Sequence, residues 1–357
     1  MDRREFLITS GGAAVAATSS TALAEEAAPV QGVAPYSGHR TLLRLSMPWT
    51  DAPQGPADSV RRLAQRIEAM TEGRYRIEVA AQAGSPAADA DLVHGPAHDF
   101  APLHPAFAYF AGLPGSAGLG AQDLAHWVAV GGGQMLWDEL AGSHGWKPLL
   151  AGHMGDAPPL WSREPITSLK DLAGQRVSAP GLGADVARAL GAEAHTALAP
   201  DEAARALADG SVFAAETGDL ATSLATGVPQ AARHATGQGL NGRGTALALS
   251  IRLPVWERLS EGDKAIFAAA AAEAFQVSLA EARAHAGLAR QVIETRFGVT
   301  FAPRPADVAD ALDRVAEATI AHVAGRDALA ARIDQSYMAF RSMLSGTPAP
   351  RRSPTVV

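Results

Sequence analysis

The chain has 357 residues, 47% of them hydrophobic, no cysteine, and a formal charge of −7 from 30 basic and 37 acidic side chains. That length is too great for one small core and implies two lobes, and the lack of cysteine excludes a disulfide framework. Mild acidity without any run of Lys or Arg excludes nucleic acid as a partner.

Taken in chain order, Arg3-Arg4-Glu5-Phe6-Leu7 is a twin-arginine pair ahead of a small-residue apolar run, Ile8 to Thr18, which Gly11-Gly12 interrupts. Ala22-Leu23-Ala24 supplies an A-x-A cleavage site, so residues 1–24 read as a twin-arginine signal peptide and the destination as the periplasm. Residues 25–40 read as a flexible leader. No later stretch reaches roughly 18 uninterrupted apolar residues, so the mature chain is expected to be soluble.

Thr41 to Met47 predicts a strand with Trp49 just beyond its end, and Ser59 to Thr71 a helix with Val60, Leu63, Ile67 and Met70 as its apolar stripe. Tyr75 to Ala81 alternates as a second strand, which makes a βαβ opening and a parallel sheet. Ala83 to Pro102 reads as irregular; helices follow at Ala121 to Val130 and Gly133 to Gly142, then a strand at Pro148 to Ala151. Ser168 with Asp171 is a capping-box start closed by Gly174, followed by a strand Gln175–Ala179, a turn at Pro180–Gly183, and a helix Ala184–Leu190. Pro200 to Asp209 is a helix, Ser211 to Glu216 a buried strand, Asp219 to Thr226 a helix, and Gly244 to Ile251 a strand returning to the first lobe. Ser260 to Arg296 reads as a long Ala-rich helical stretch broken once, and Val299 to Phe301 as a small strand. Pro305 to Ser345 is a last long helix with Gly325 as its weak point.

The strand, glycine turn and helix start between Gln175 and Leu190, with Arg176 close by, suit an anionic ligand; the alternative is a plain βα unit with a surface arginine. Glu216 ends an apolar strand, where α/β ligands bind. Gly237-x-Gly239-x-x-Gly242 has the dinucleotide spacing but follows a polar loop and precedes a strand, which is the wrong order. His94 and His98, with Asp89, Asp91, Asp99 and His104 near, have metal-ligand spacing only on a helix, which Gly95-Pro96 opposes. No nucleophile motif is present, so no catalytic residue is assigned and the chain reads as a non-enzyme.

Longer motifs carry a family resemblance. His104-Pro-Ala-Phe-Ala-Tyr-Phe110, Gly131-Gly-Gly-Gln-Met-Leu-Trp-Asp-Glu-Leu140, Lys147-Pro148 and Ala151-Gly152 resemble the periplasmic solute-binding subunits of TRAP transporters. Pro165-Ile166, Asp171-Leu172-x-Gly174, Pro180-Gly181, Leu190-Gly191, Ala214-Ala215-Glu216, Trp256-x-x-Leu259-Ser260 and Ser336-Tyr337-x-x-Phe340 continue it in the family's order, from about Leu43 to Leu344. The nearest branch is the one that binds α-keto acids and related monocarboxylates. The resemblance implies an α/β, two-lobed periplasmic-binding-protein fold with a long C-terminal helix, closing on a small organic acid anion without catalysis. It places residues 41–150 and 245–304 in lobe 1, 151–244 in lobe 2, 305–345 in the long helix and 346–357 in a disordered tail.

Carried over by position, the family's ligand residues are mostly replaced. The carboxylate-gripping arginine aligns with Ser178, although Arg176 lies two residues earlier on the same strand face. Of the sodium ligands, the glutamine becomes Ala157, the tryptophan Thr217 and the later glutamate Gly242, with Arg243 beside it; Glu216 alone is retained. The segment between Gly84 and His104 is about ten residues short of the family's, and the paired aromatic positions fall near His98 and Asp99. The expected binding residues are therefore Arg176, Ser178, Glu216, Thr217, Trp49 and Arg243, with Arg176 and Arg243 as counter-ions and no cofactor, the sodium site being lost. The expected partners are TRAP membrane permease subunits and, through Val308, Leu312, Val315 and Ile320 of the last helix, a second copy in a homodimer. A periplasmic ligand sensor or scaffold on the same fold is the alternative function.

Overall fold

The computed structural model describes residues 38–346, except 39, 50–54, 82–88, 156–157 and 196. The signal peptide, most of the leader, Ala157 and the tail beyond 346 lie outside the described residues.

Two sheets carry the fold. β1 (Thr41–Met47), α1 (Pro56–Met70) and β2 (Tyr75–Ala81) form the expected βαβ unit, with β1 and β2 parallel in register from Thr41↔Tyr75 to Met47↔Ala81. Pro56 starts α1 three residues earlier than predicted, because a proline at the first turn gives up an N–H that has no helical partner anyway. The region read as irregular contains β3 (Leu92–Pro96), a central strand paired with β1. Its Leu92 to Gly95 are all buried, so the period-2 alternation that would betray a half-exposed strand is missing. After α2 (Ala121–Ala129) and α3 (Gly133–Gly142) comes β4 (Trp146–His153), joined to β3 through the antiparallel β10 (Ala246–Arg252). The first sheet, in order β2-β1-β3-β10-β4, is thus mixed.

The second sheet runs β11-β9-β5-β8-β6-β7. Its strands are three residues each: β5 (Leu160–Ser162), β6 (Arg176–Ser178), β7 (Glu193–His195), β8 (Ala214–Glu216), β9 (His234–Thr236) and β11 (Thr300–Ala302). Between them lie α4 (Leu182–Ala189), α5 (Pro200–Asp209), α6 (Leu220–Ala225) and α7 (Val228–Ala231). Strands this short fall below what a hydrophobic pattern resolves, which is why β5, β7 and β9 escaped the sequence reading. The capping box at Ser168 is present, with Asp171 accepting from the Thr167 and Ser168 amides. β11 pairs with β9, so residues 300–302, assigned by sequence to the first lobe, belong to the second sheet.

Four helices follow β10 among the described residues. α8 (Leu253–Arg258) is short; α9 (Glu261–Phe297) is one unbroken helix of 37 residues, where one break was expected. It contains no proline, and its alanines favour helix strongly enough to carry Gly262 and Gly287. Its length and composition would suffice to cross a membrane. Here Phe267, Ala270, Ala271 and Ala274 pack on the first sheet's core, and Ile293 on the second sheet's. The expected single C-terminal helix is instead two, α10 (Ala306–Ala324) and α11 (Ala328–Ser345). The break comes at Gly325, and Asp327 caps α11 by accepting from the Ala330 amide. The stripe assigned to self-association is occupied within the chain: Val308 and Leu312, with Val315 beside them, sit in the second sheet's core, and Ile320 in the first lobe's.

Candidate functional site

Strand directions locate the site. β1, β3 and β4 run the same way and end at Met47, Pro96 and His153; β6, β8 and β9 end at Ser178, Glu216 and Thr236. The chain crosses from the first sheet to the second between His153 and Leu160, and back between Thr236 and Ala246. Both crossings join these ends, so the carboxyl ends of the two sheets face a common cleft, which is where ligands bind in open α/β sheets.

On the second-sheet side, Glu216 is the organising group. It is 4% exposed, and its oxygens are fully engaged. Oε2 accepts from the backbone amides of Leu240 (2.7 Å) and Asn241 (3.3 Å), and Oε1 from Nδ2 of Asn241 (3.1 Å). The same Asn241 Nδ2 donates to the carbonyl of Pro180 (2.8 Å), in the turn leading to α4. Burial pushes the Glu216 carboxyl above its usual range, while Asn241, Leu240 and the positive charge of Arg304 pull the other way. Arg304 donates to the carbonyls of Gln238 and Gly239 (2.7 Å for the latter), holding the loop whose next two amides reach Glu216. Sequence reasoning missed both Asn241 and Arg304. The one sign was the Gly237-x-Gly239-x-x-Gly242 pattern, set aside as a nucleotide motif. Its glycines serve close approach: a Cβ on Gly239 would lie 2.5 Å from Glu216 Oε2, and one on Gly242 2.4 Å from the Gly115 carbonyl.

On the first-sheet side the polar groups are poorly partnered. His94 is buried, its Nδ1 meets no hydrogen-bond partner, and its Nε2 lies 3.4 Å from the Ala151 carbonyl. Trp49 packs on it with ring centroids 5.4 Å apart. His98 reaches across the cleft: a Cβ on Gly181, at the start of α4, would lie 3.1 Å from its ring. Asp99 is 3.8 Å from the His98 ring, too far for a hydrogen bond. Burial lowers His94 and His98 to about 4 and raises Asp99 to about 7. Neither histidine therefore carries charge at neutral pH. His153, at the end of β4, is likewise held to about 4 by burial, and its Nδ1 accepts from the Gly155 amide.

The remaining sequence candidates scatter. Ser178 is buried and accepts from the Leu198 amide (3.2 Å), and Thr217 hydrogen-bonds Ser223 (2.9 Å). Arg176 does not join them: it is exposed at the opposite end of β6, within electrostatic reach of Asp209. Two residues on a strand share a face, but about 6.6 Å of rise separates them, enough to leave the cleft. Arg243 is also exposed, and its charge acts on Tyr337 in the first lobe. The metal-like group is dispersed as well: Asp91 accepts from the Arg44 amide, Asp89 faces Arg44, and His104 bonds Asp327. No set of three metal-ligating side chains comes together among the described residues. A surface groove lined by Arg40, Arg61, Arg76 and Glu68 runs along the edge strand β2.

The sequence profile of the bacterial extracellular solute-binding protein family 7 matches residues 54–323. A monocarboxylate 2-oxoacid-binding periplasmic protein of Nostoc sp. is 26% identical over 365 residues, covering 96% of this chain and 95% of the relative. A TRAP transporter solute-binding protein of Bordetella bronchiseptica, with calcium and picolinate in its site, superposes with a TM-score of 0.81 at 21% identity, over 87% of this chain and 94% of that one. A TRAP solute-binding protein of Pseudoalteromonas atlantica, with sodium and pyruvate, gives 0.78 at 20% identity, over 86% and 95%.

Among the described residues, the surroundings of Glu216 supply few oxygen donors for a cation of that kind. Sodium and calcium want several oxygen donors, whereas the oxygens of Glu216 are ringed by N–H groups. The match over most of the length, with the two sheets and the facing cleft, establishes that the chain belongs to family 7 of the bacterial extracellular solute-binding proteins, the receptors of TRAP transporters.

Proposed function

We propose that this protein captures a small organic acid in the cleft between its sheets and delivers it to a TRAP membrane permease. The observation that carries the reading is the meeting of His98 with Gly181 across the cleft, which puts incompletely partnered polar groups of one sheet against the start of α4 on the other. The helix start favours the carboxylate of the solute, and Trp49 and His98 offer flat faces to its carbon skeleton. The 2-oxoacid specificity of the Nostoc relative supports monocarboxylates as the first class to test. No arginine is needed in the cleft for this reading, so Arg176 and Arg243 are not assigned to the solute.

The test is a thermal-shift screen of small monocarboxylates, beginning with pyruvate and picolinate, followed by calorimetry on any that stabilise. At least one acid should raise the unfolding midpoint and bind with one-to-one stoichiometry; a screen in which none does so overturns the reading. We further propose export by the twin-arginine route, supported by Arg3-Arg4 and the Ala22-Leu23-Ala24 site. Replacing Arg3 and Arg4 by Lys should hold the precursor in the cytoplasm, and periplasmic accumulation of that variant would refute the route.

A further inference from the structure

The group around Glu216 has a feature that solute binding does not require. The Bordetella protein holds calcium with picolinate and the Pseudoalteromonas protein sodium with pyruvate, and a buried carboxylate is the kind of group that binds such a cation. Here the space beside the carboxylate is filled by the side chain of Asn241, itself 5% exposed. The orientation of the amide is dictated by chemistry. Nδ2 lies 3.1 Å from Glu216 Oε1 and 2.8 Å from the Pro180 carbonyl, both acceptors, so the NH2 end and not the carbonyl end must face them. Gly183 makes the room: a Cβ there would lie 2.5 Å from Asn241 Nδ2. Two further N–H groups close the other carboxylate oxygen, and Arg304 supplies positive charge through the loop that it clamps.

We propose that Asn241 stands in for a cation at Glu216. Its amide joins β8 to the β6–α4 turn as a bridging metal would, and solute binding is thereby independent of sodium and calcium. The first half concerns the free protein; the second rests on the solute-binding reading above. Asn241 is a positioning residue, acting on the cleft through Pro180 and the start of α4.

The experiment is thermal unfolding of the purified protein, without solute, in potassium, sodium and calcium chloride at matched ionic strength and in EDTA. The wild type should unfold at the same midpoint in all four. A rise in sodium or calcium that EDTA reverses would overturn the proposal. Asn241→Asp places a second carboxylate beside Glu216, creating an oxygen-rich site. Its midpoint should fall without divalent metal and recover in calcium, and a folded N241D with no calcium response would count against the assigned geometry. Should N241D fail to fold, calorimetric titration of the wild type with calcium chloride decides alone: no binding heat is expected, and a saturable isotherm overturns the proposal. For any acid returned by the screen, affinity should agree within about twofold between sodium and potassium buffers, and a loss of about tenfold or more without sodium would overturn the second half. If no acid binds, the solute reading fails while the solute-free series still judges Asn241.

Discussion

The titratable groups on the two walls of the cleft are partnered to different degrees, although each sheet also buries one ring nitrogen without a partner among the described residues, His94 Nδ1 and Trp161 Nε1. On the second-sheet wall every oxygen of Glu216 has a donor, and the donors are themselves held by Arg304 and Pro180. On the first-sheet wall His94 leaves a buried nitrogen unpartnered, and His98 and Asp99 approach only to 3.8 Å. Satisfied buried groups lock a structure, whereas unsatisfied ones carry a standing desolvation cost that a bound molecule can relieve. On the reading proposed above, the Glu216 cluster is scaffold, and the solute lies between the start of α4 and the His98 side of the first wall.

The sharpest way to break this contrast is Glu216→Ala. It removes the acceptor from three N–H donors at once and should cost about 3–5 kcal/mol in urea unfolding; a loss below about 1 kcal/mol would show that the Glu216 cluster is not scaffold. Next come two opposite pH effects on the first wall. His98 titrates near 4 in the fold and near 6.5 unfolded, so its contribution is whole above 6.5 and disappears as pH falls to 4. Asp99 is raised from 3.8 to about 7, so the fold holds a proton that the unfolded chain releases, and its contribution fades as pH rises through that window. Relative to His98→Asn, the wild type should lose stability on acidification; relative to Asp99→Asn, on alkalinisation. Each difference is on the order of 3 kcal/mol across its window, read from paired denaturation curves. Parallel curves would place these groups in solvent. A smaller effect is expected from Gly239→Ala, whose methyl would press on Glu216 Oε2 and cost about 1–3 kcal/mol. The smallest is Arg176→Ala: stability should change by less than about 0.5 kcal/mol and solute affinity not at all. A clear loss of affinity in calorimetry would return Arg176 to the cleft.

The fold was legible in the sequence because its longest motifs are packing motifs. Phe110 of the HPAFAYF run stacks between Trp127 and Trp137, and Tyr337 of the last motif accepts from the Leu119 amide. Gln134 reaches Asp138 and the Pro148 carbonyl, which explains why the GGGQ-x-LWDEL run holds together as a unit. Ligand residues have no such redundancy: each is one side chain at one strand end, and its replacement leaves no trace in periodicity. Position along the strand puts Glu216 at the carboxyl end of β8, opposite Leu160. Sharing a face with Ser178 did not place Arg176 at the cleft, since alternation fixes the side of a sheet and not the end of a strand. Asn241 could not be read at all, because its partner lies 25 residues away and its role depends on the amide reaching two acceptors.

The unbroken α9 has a mechanical consequence. Its first half is anchored in one core and its last turns in the other, while most of residues 280–288 lie open to solvent between them. A helix can bend but cannot stretch, because its rise of about 1.5 Å per residue is set by its hydrogen bonds. Even this span has neighbours: Glu281 bonds Arg62 of α1, and Ala282 lies against Gly155 in the crossing between the sheets. A helix of fixed length anchored in both cores therefore sets the separation of the two sheets along that side.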